Sequence, residues 1–171
     1  MQQHANKRNL LHEHLQAEVL DALRGKLRGP PGTFAILVAM PMNAITNAVD
    51  SAPIGVIEVY QDGSDESHAD MGAGPDEVGI GWLGSMAVTD SYKRQGVGSA
   101  LVRASDEIVR SWRYKRTGLH VFADNEAAVQ MYERCGFVRR REATMVWAYW
   151  LTTRRKLLMA RVHTDSPESG G

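Results

Sequence analysis

The strongest constraint on the fold is a glycine-containing turn between an apolar strand and an amphipathic helix. The strand ends in Ser85-Met86-Ala87-Val88, a basic turn follows, and Gln95-Gly96-Val97-Gly98 opens the helix. Backbone N–H groups at a helix N-terminus are unpaired and carry partial positive charge, and glycines let a ligand approach the main chain. Lys93 and Arg94 add full positive charge. The segment therefore predicts an anion site that suits a pyrophosphate.

Two better-known phosphate motifs do not fit this turn. A Walker loop is excluded because Gly-Lys-Ser/Thr is missing, and a dinucleotide fingerprint is poor because Leu101 stands where a third small residue belongs. A generic glycine turn with solvated basic residues would be the ordinary interpretation of a lone Gly-x-Gly. The surrounding elements decide against it, since Trp82 to Ala123 predicts a strand, a helix and a second strand with locally parallel pairing.

Hydrophobic periodicity and turn residues predict the remaining elements. The first two strands are expected to be antiparallel neighbours, and Gly136 is expected to end the last helix in a left-handed conformation. The remaining predicted helices are Lys7–Leu27 and Asp124 to Arg134. The remaining predicted strands are Phe34–Met40, Ile54–Tyr60, a strand from Phe137 onward, Met145–Trp150 and Leu157–Met159.

Length and composition predict one domain over residues 1–162. The 171 residues are 43% apolar and 23% charged, which is typical of a single globular domain. Residues 61–77 are acidic and glycine-containing and are expected to form a flexible loop, and residues 163–171 are expected to be a disordered tail. No apolar run approaches the roughly 20 residues that cross a bilayer, and the start lacks the apolar part of a secretory signal.

Charge and cysteine content limit which ligands and partners the sequence predicts. Lys and Arg number 20, as do Asp and Glu, so no overall field favours nucleic acid or an anionic membrane. The single cysteine, Cys135, cannot form an intramolecular disulfide and has no second thiol with which to bind a metal, so no metal is expected. The sequence leaves monomer and homodimer open.

Two motifs carry a resemblance to a known family. Lys93-x-x-Gly96-x-Gly98 resembles the Arg/Gln-x-x-Gly-x-Gly/Ala acetyl-CoA loop of GNAT acetyltransferases, and the downstream helix motif of that family is similar to Asn125-x-x-Ala128-x-x-Met131-Tyr132-x-x-x-Gly136-Phe137. The resemblance implies an α/β fold with a mixed, mostly antiparallel twisted sheet, helices on both faces and a cofactor cleft where the middle strands splay. We expect the family's first strand and helix to be missing or divergent in this sequence.

The resemblance also implies roles for particular residues. Tyr132 would protonate the departing thiolate as the catalytic acid, in place of the ordinary interpretation as a core tyrosine. Lys93 replaces the usual Arg or Gln and loses the fork geometry of arginine. The residues expected to bind acetyl-CoA are Met86, Ala87 and Val88 along the pantetheine, Lys93, Arg94, Gln95, Gly96, Val97, Gly98 and Ser99 around the pyrophosphate, and Asn125, Glu126, Ala127 and Tyr132 on the second helix.

The acceptor half of the reaction stays open at this stage. A base must deprotonate the substrate amine, and Glu58, Glu77, His120 and a chain of water molecules are all candidates, while a backbone N–H such as that of Val88 would stabilise the oxyanion. Cys135 is interpreted as a packing residue rather than an acyl acceptor. The arginines at 139–141 and the basic residues at 154–156 are interpreted as protection of sheet edges.

The expected activity is acetyl-CoA-dependent N-acetylation of a primary amine. The end of the chain, from Tyr149 to Met159, is similar to plant and algal plastid members, which implies protein N-terminal α-amines or lysine ε-amines as acceptors and a chloroplast location. Small amines are a second acceptor class. The alternative is a protein without catalytic activity that binds acetyl-CoA as a regulatory ligand. The negative charge of the acidic segment 62–77 could attract a cationic acceptor.

Overall fold

The computed structural model describes residues 28–41, 52–62, 64, 69–74, 77, 79–144 and 155–163. The chain divides into two compact units, residues 1–34 and 35–171, and of the first unit only residues 28–34 are described. The described elements are strands β1 (Phe34–Ala39), β2 (Gly55–Asp62) and β3 (Ile80–Val88), helix α1 (Val97–Ser111), strand β4 (Arg116–Phe122), helix α2 (Glu126–Arg134), and strands β5 (Val138–Thr144) and β6 (Arg155–Val162).

The strands form one mixed sheet in the order β1-β2-β3-β4-β6-β5. The pairs β2/β3, β4/β6 and β5/β6 are antiparallel, whereas β3 and β4 are parallel because α1 crosses between them. The fold class predicted from the sequence, a mixed and mostly antiparallel sheet, is therefore confirmed. The predicted parallel unit from Trp82 to Ala123 is present with the bounds given above.

The parallel pair is short, and this determines where a ligand can enter the sheet. Only Gly81–Leu83 of β3 pair with Thr117–Leu119 of β4. On its other side β3 shifts register against β2, since Glu58 pairs with Gly84 but Val56 pairs with Ala87. The extra residue is a β-bulge, and Ser85 within it has a φ of 45°, which bends the strand. β3 and β4 therefore diverge beyond Leu83.

Two apolar clusters cover the two faces of the sheet. The first contains both described helices and the side chains of alternate residues on four strands, including Ile57, Leu83 and Leu119. The second contains Met71, Ile80, Trp82, Leu158 and Ala160. Helix α1 has one buried face, which includes a carboxylate and consists of Leu101, Val102, Ser105, Asp106 and Val109.

Parts of the segment predicted to be a flexible acidic loop are placed by packing. Gln61 and Asp62 belong to β2, Met71 is 1% exposed in the second cluster, and Glu77 forms an ion pair with Arg116. Composition does not reveal these contacts, because one methionine and one carboxylate supply them. His163, which the sequence assigns to the C-terminal tail, is buried, and its backbone N–H donates to the carbonyl of Lys115.

Several predicted elements lie outside the described residues. These are the helix over Lys7–Leu27, the strand over Met145–Trp150 and the rest of the C-terminal tail. The prediction of a single domain over residues 1–162 with a flexible loop at 61–77 stays a prediction. No helix in the described part of the chain is long and apolar enough to cross a membrane.

We expect Gly81→Ala to destabilise the domain by about 1–3 kcal/mol, the usual cost of overpacking a core. A Cβ at this position would lie 2.5 Å from Cγ2 of Val109, which is fully buried on α1. Urea unfolding measures the change, and Gly81→Ala combined with Val109→Ala should be less destabilised than the sum of the single variants. Gly74→Ala is the control, because its nearest neighbour would be 4.0 Å away. A Gly81→Ala variant as stable as the wild type would contradict this packing.

Candidate active site

The turn before α1 places a helix N-terminus at the end of β3. A single 3-10 turn, Asp90–Tyr92, follows the strand, and Gly96 is the N-cap of α1 with a φ of 86°. The first intrahelical hydrogen bond runs from Ala100 N–H to the Gly96 carbonyl, and no side chain caps this helix. A Cβ at Gly96 would meet no atom within 4 Å. The unpaired N–H groups at the start of α1 thus follow a glycine that faces open space, an arrangement that suits an anion.

The basic residues of the turn differ in their partners. Lys93 Nζ lies 2.5 Å from Oδ1 of Asp90, and this ion pair lowers the pKa of Asp90. Arg94 adopts a left-handed φ of 65°, and no residue within the described ranges forms an ion pair with it. Gln95 donates from Nε2 to the carbonyl of Ser91, and this hydrogen bond stabilises the turn. Arg94 is therefore the basic residue of this turn that has no ionic partner among the described residues, and its predicted binding role stays a prediction.

The end of β3 lies directly beside the start of α1. A Cβ on Gly98 would be 3.1 Å from Sδ of Met131, 3.8 Å from Cε of Met86 and 4.0 Å from Cγ2 of Val88. Ala87 and Val88 pair with β2, so their strand geometry is fixed from one side. The structure thus brings the predicted pantetheine residues of β3 and the predicted pyrophosphate residues of α1 together.

Helix α2 supplies the third side of the site. Asn125 is its N-cap, and the side-chain oxygen of Asn125 accepts from Ala128 N–H at 3.3 Å. This structural role was predicted together with a binding role, and the binding role stays a prediction. Glu126 and Ala127 are exposed at the first turn.

Tyr132 is aimed at the gap between β3 and β4. It is 7% exposed, its ring packs edge-on against Phe137, and its hydroxyl lies 3.9 Å from Sδ of Met86. Burial raises the pKa of Tyr132 to about 12, with a smaller contribution from Cys135. The phenol is therefore neutral at physiological pH and keeps its proton available for donation. Its catalytic role stays a prediction.

Two of the three candidate bases flank the point where the strands separate. Glu58, on β2, is 9% exposed and pairs with Gly84, the first residue of β3 beyond the parallel ladder. His120 is the corresponding first residue of β4, and its ring stacks on Trp82 with centroids 5.1 Å apart. Desolvation lowers the pKa of His120, as does the positive charge of Lys156, so the imidazole is neutral near pH 7. Strand alternation places Glu58 and His120 on the face opposite α1 and α2.

The third candidate base, Glu77, is engaged elsewhere. Its carboxylate accepts two hydrogen bonds from Nε of Arg116 at 2.9 and 3.0 Å, and this bonding lowers the pKa of Glu77. Arg116 precedes Leu119 by three residues along β4, a separation of roughly 10 Å in a strand. Glu77 therefore anchors its segment to the start of β4, away from the gap.

Two features of the site escaped prediction from the sequence. The first is the bulge at Ser85. In the sequence it shows only as a break in the alternation of inward-facing residues: Leu83 packs on the first cluster, and so do Met86 and Val88, although an unbroken strand would place odd-numbered and even-numbered residues on opposite faces. The second is Met131, which belongs to the helix motif but had no predicted role of its own. Its proximity to Gly98 depends on how α1 and α2 pack. Within the described residues no group of three or more His, Cys, Asp or Glu side chains could hold a metal ion.

Fold and site together define a class of protein. A helix N-terminus opened by glycines lies beside a gap between two parallel strands, and a buried tyrosine faces the gap from the helix side. Such a site suits an extended ligand that carries a phosphate group at one end and passes through the sheet at the other.

Comparison with known proteins identifies the family. Residues 11–137, more than half of the chain, match the Acetyltransferase (GNAT) family, and the chain belongs to it. The resemblance found in the motifs is thereby confirmed. Over 147 residues the chain is 29% identical to "GCN5-related N-acetyltransferase 10, chloroplastic" of Arabidopsis thaliana, covering 85% of this chain and 56% of that protein. The chain thus spans little more than half the length of this curated relative.

Solved structures agree on the fold. NAA60 of Arabidopsis thaliana in complex with a bisubstrate analogue superposes with a TM-score of 0.62 at 17% identity, covering 80% of this chain and 79% of that one. A chain of the NatC complex bound to Gag peptide and CoA superposes with a TM-score of 0.59 at 21% identity, with coverage of 75% and 71%.

The raised pKa of Tyr132 predicts a loss of stability at alkaline pH. The unfolded chain releases this proton near pH 10 and the folded protein only near pH 12, so the stabilising contribution is complete below pH 10 and is lost as pH rises toward 12. Between these values the wild type should lose about 2 kcal/mol more free energy of unfolding than Tyr132→Phe. Urea unfolding at a series of pH values from 9 to 12 measures the free energy of unfolding of the wild type and of Tyr132→Phe. Parallel curves for the two proteins would show that the phenol titrates normally.

Proposed function

We propose that this chain is an acetyl-CoA-dependent N-acetyltransferase that acetylates a primary amine of a protein or peptide. The observation that carries the proposal is the gap between β3 and β4, where the open N-terminus of α1, the end of β3 and the hydroxyl of Tyr132 meet. Membership of the acetyltransferase family and the CoA and peptide in the superposed NatC structure support it.

The residues present fit acetyl-CoA. The unpaired N–H groups of Val97, Gly98 and Ser99 and the charge of Arg94 would hold the pyrophosphate, because the glycine at position 96 leaves the approach open. The bulged end of β3, from Met86 to Val88, would bind the extended pantetheine by strand-like hydrogen bonds. When bound, acetyl-CoA supplies an acetyl group activated as a thioester.

Tyr132 would act on the sulfur that leaves. As the substrate nitrogen bonds to the acetyl carbon and the carbon–sulfur bond breaks, negative charge develops on sulfur. A pKa of about 12 exceeds the roughly 8.5 of a cysteine-like thiol, so complete transfer of the phenolic proton is uphill. The phenol would therefore stabilise the developing thiolate mainly as a hydrogen-bond donor in a dry site.

The amine would approach from the opposite face of the sheet. Glu58 and His120 flank the first unpaired position of the gap there, and either could accept the proton that the amine nitrogen releases. His120 is suited to this by its neutral imidazole at pH 7. The engagement of Glu77 with Arg116 favours these two over Glu77.

Acceptor class and location follow from the named relatives. Three Arabidopsis relatives are chloroplastic GCN5-related N-acetyltransferases, which supports a plastid location, and a fluorescent fusion of the full-length precursor tests it. A fission yeast relative, N-alpha-acetyltransferase 30, is 34% identical over 59 residues and supports an N-terminal α-amine as acceptor. Lysine ε-amines remain within the proposed class, and small amines form the second candidate class.

We expect turnover of acetyl-CoA with a mixed peptide library, and a loss of kcat of about 100-fold in Tyr132→Phe with little change in KM for acetyl-CoA. Release of the CoA thiol reports the rate, and mass spectrometry locates the acetylated amine. Tyr114→Phe is the matched control, because Tyr114 packs beside Trp112 at the far end of α1. Binding of acetyl-CoA without turnover on peptides or small amines would favour the regulatory module, and unchanged kcat in Tyr132→Phe would remove its catalytic role.

The two basic residues of the turn should contribute unequally to binding. Because Lys93 is paired with Asp90, we expect Lys93→Gln to weaken acetyl-CoA binding by less than about threefold, and Arg94→Gln to weaken it about tenfold, the usual effect of losing a hydrogen bond to a charged group. Calorimetric titration at low ionic strength compares the two variants. A larger effect of Lys93→Gln would mean that the lysine leaves Asp90 for the phosphate.

A further inference from the structure

Arg161, on β6, joins two elements that lie on the helix side of the sheet. Its Nη1 donates to Oδ2 of Asp106 at 2.5 Å and to the backbone carbonyl of Cys135 at 2.8 Å. Asp106 belongs to α1, and Cys135 is the C-cap of α2. A single guanidinium nitrogen therefore links β6 to both helices.

The contact with Cys135 satisfies a helix end. The last carbonyl groups of an α-helix have no intrahelical partner, and a cation there also complements the helix dipole. Gly136, directly after the C-cap, has a φ of 85°, and a Cβ there would lie 3.7 Å from both Cδ and Nε of Arg161. The arginine side chain thus lies across the end of α2.

Asp106 holds the arginine in place. This residue is 6% exposed, Arg161 is in direct contact with its carboxylate, and Nε2 of His163 lies 3.9 Å from Oδ1. Burial lowers the pKa of His163 to about 4, so its imidazole is neutral and Arg161 supplies the positive charge. Burial raises the pKa of Asp106, an effect that Arg161 and Arg110 oppose. A buried carboxylate needs such a partner, so the Asp106–Arg161 pair is fixed by the cost of separating it.

Tyr132 lies on the same helix turn as this contact. It precedes Cys135 by three residues, and its carbonyl accepts from Phe137 N–H at 3.0 Å, immediately after the glycine that Arg161 covers. A movement of the helix end therefore moves the hydroxyl that faces Met86. Misplacement of a reacting group by about 1 Å can cost roughly 100-fold in rate.

We propose that Arg161 is a positioning residue for acetyl transfer: held by Asp106, it fixes the C-terminal end of α2 and with it the hydroxyl of Tyr132 at the gap. This inference rests on the function proposed above. Arg161 itself does not reach the reacting atoms, and Asp106 lies nine residues beyond the start of α1, roughly 14 Å along the helix from the pyrophosphate site.

The kinetic test compares Arg161→Met with Arg161→Lys. We expect Arg161→Met to lower kcat about tenfold or more while KM for acetyl-CoA changes less than about twofold, and Arg161→Lys to retain most of the rate, because one nitrogen makes both contacts. Arg139→Met is the matched control: it removes an exposed ion pair with Glu133 of the same helix and should leave kcat unchanged.

Two further outcomes separate positioning from general stability. In a Tyr132→Phe background, Arg161→Met should lower kcat no further, since the arginine acts through the phenol. Equal losses in both backgrounds would overturn the proposal. A loss of kcat in Arg161→Lys as large as that in Arg161→Met would also overturn it.

A second measurement does not depend on turnover. Cys135 is the only cysteine in the chain, so the rate of its reaction with Ellman's reagent reports on the end of α2. We expect Arg161→Met to raise this rate at least about fivefold under native conditions and Arg139→Met to leave it unchanged. An unchanged rate in Arg161→Met would overturn the proposal, whereas a wild type without turnover would overturn the proposed function, so the two failures are distinguishable.

Discussion

The separation of β3 from β4 is the constraint on which the site depends. Parallel pairing ends after Leu83 and Leu119, and the bulge at Ser85 then bends β3 against β2. A strand that is hydrogen-bonded on one side only leaves its other edge of N–H and C=O groups to be satisfied by something else. An extended ligand with amide groups can pair with that edge, and the adjoining N-terminus of α1 suits the phosphates of the same ligand.

The gap also divides the chemistry between the two faces of the sheet. Tyr132 faces the gap from the side of α1 and α2, in a dry environment that raises its pKa to about 12 and keeps the phenol protonated. Glu58 and His120 lie on the other face, beside Trp82. A proton donor and the candidate proton acceptors are therefore separated by the sheet itself, which prevents them from neutralising each other directly. A reaction that removes a proton from one substrate while negative charge develops on another suits this arrangement.

Buried polar contacts away from the gap support the same geometry. Asp106 and Arg161 join α1, β6 and the end of α2, while Thr117 and His163 share a 2.6 Å hydrogen bond between the start of β4 and the end of β6. Buried ion pairs add little net stability compared with apolar packing, but they specify one arrangement because separating them is costly. This specificity matters most where a helix end must hold a side chain such as that of Tyr132 in place.

The sequence by itself predicted most of the described helices and strands and the two helix N-termini of the candidate site. Local patterns sufficed, since glycine at 96 and 98 after an apolar strand and Asn125 before an amphipathic segment act through backbone conformation and helix ends. It could not show that Lys93 turns to Asp90, that Met71 is buried, or that His163 is ordered, because these depend on partners distant in the chain or on side-chain direction. The tertiary structure alone decided which candidate bases lie at the gap and that Arg161 reaches α2. Both follow from strand order and register, in which residues that are remote in sequence become neighbours across hydrogen-bonded strands.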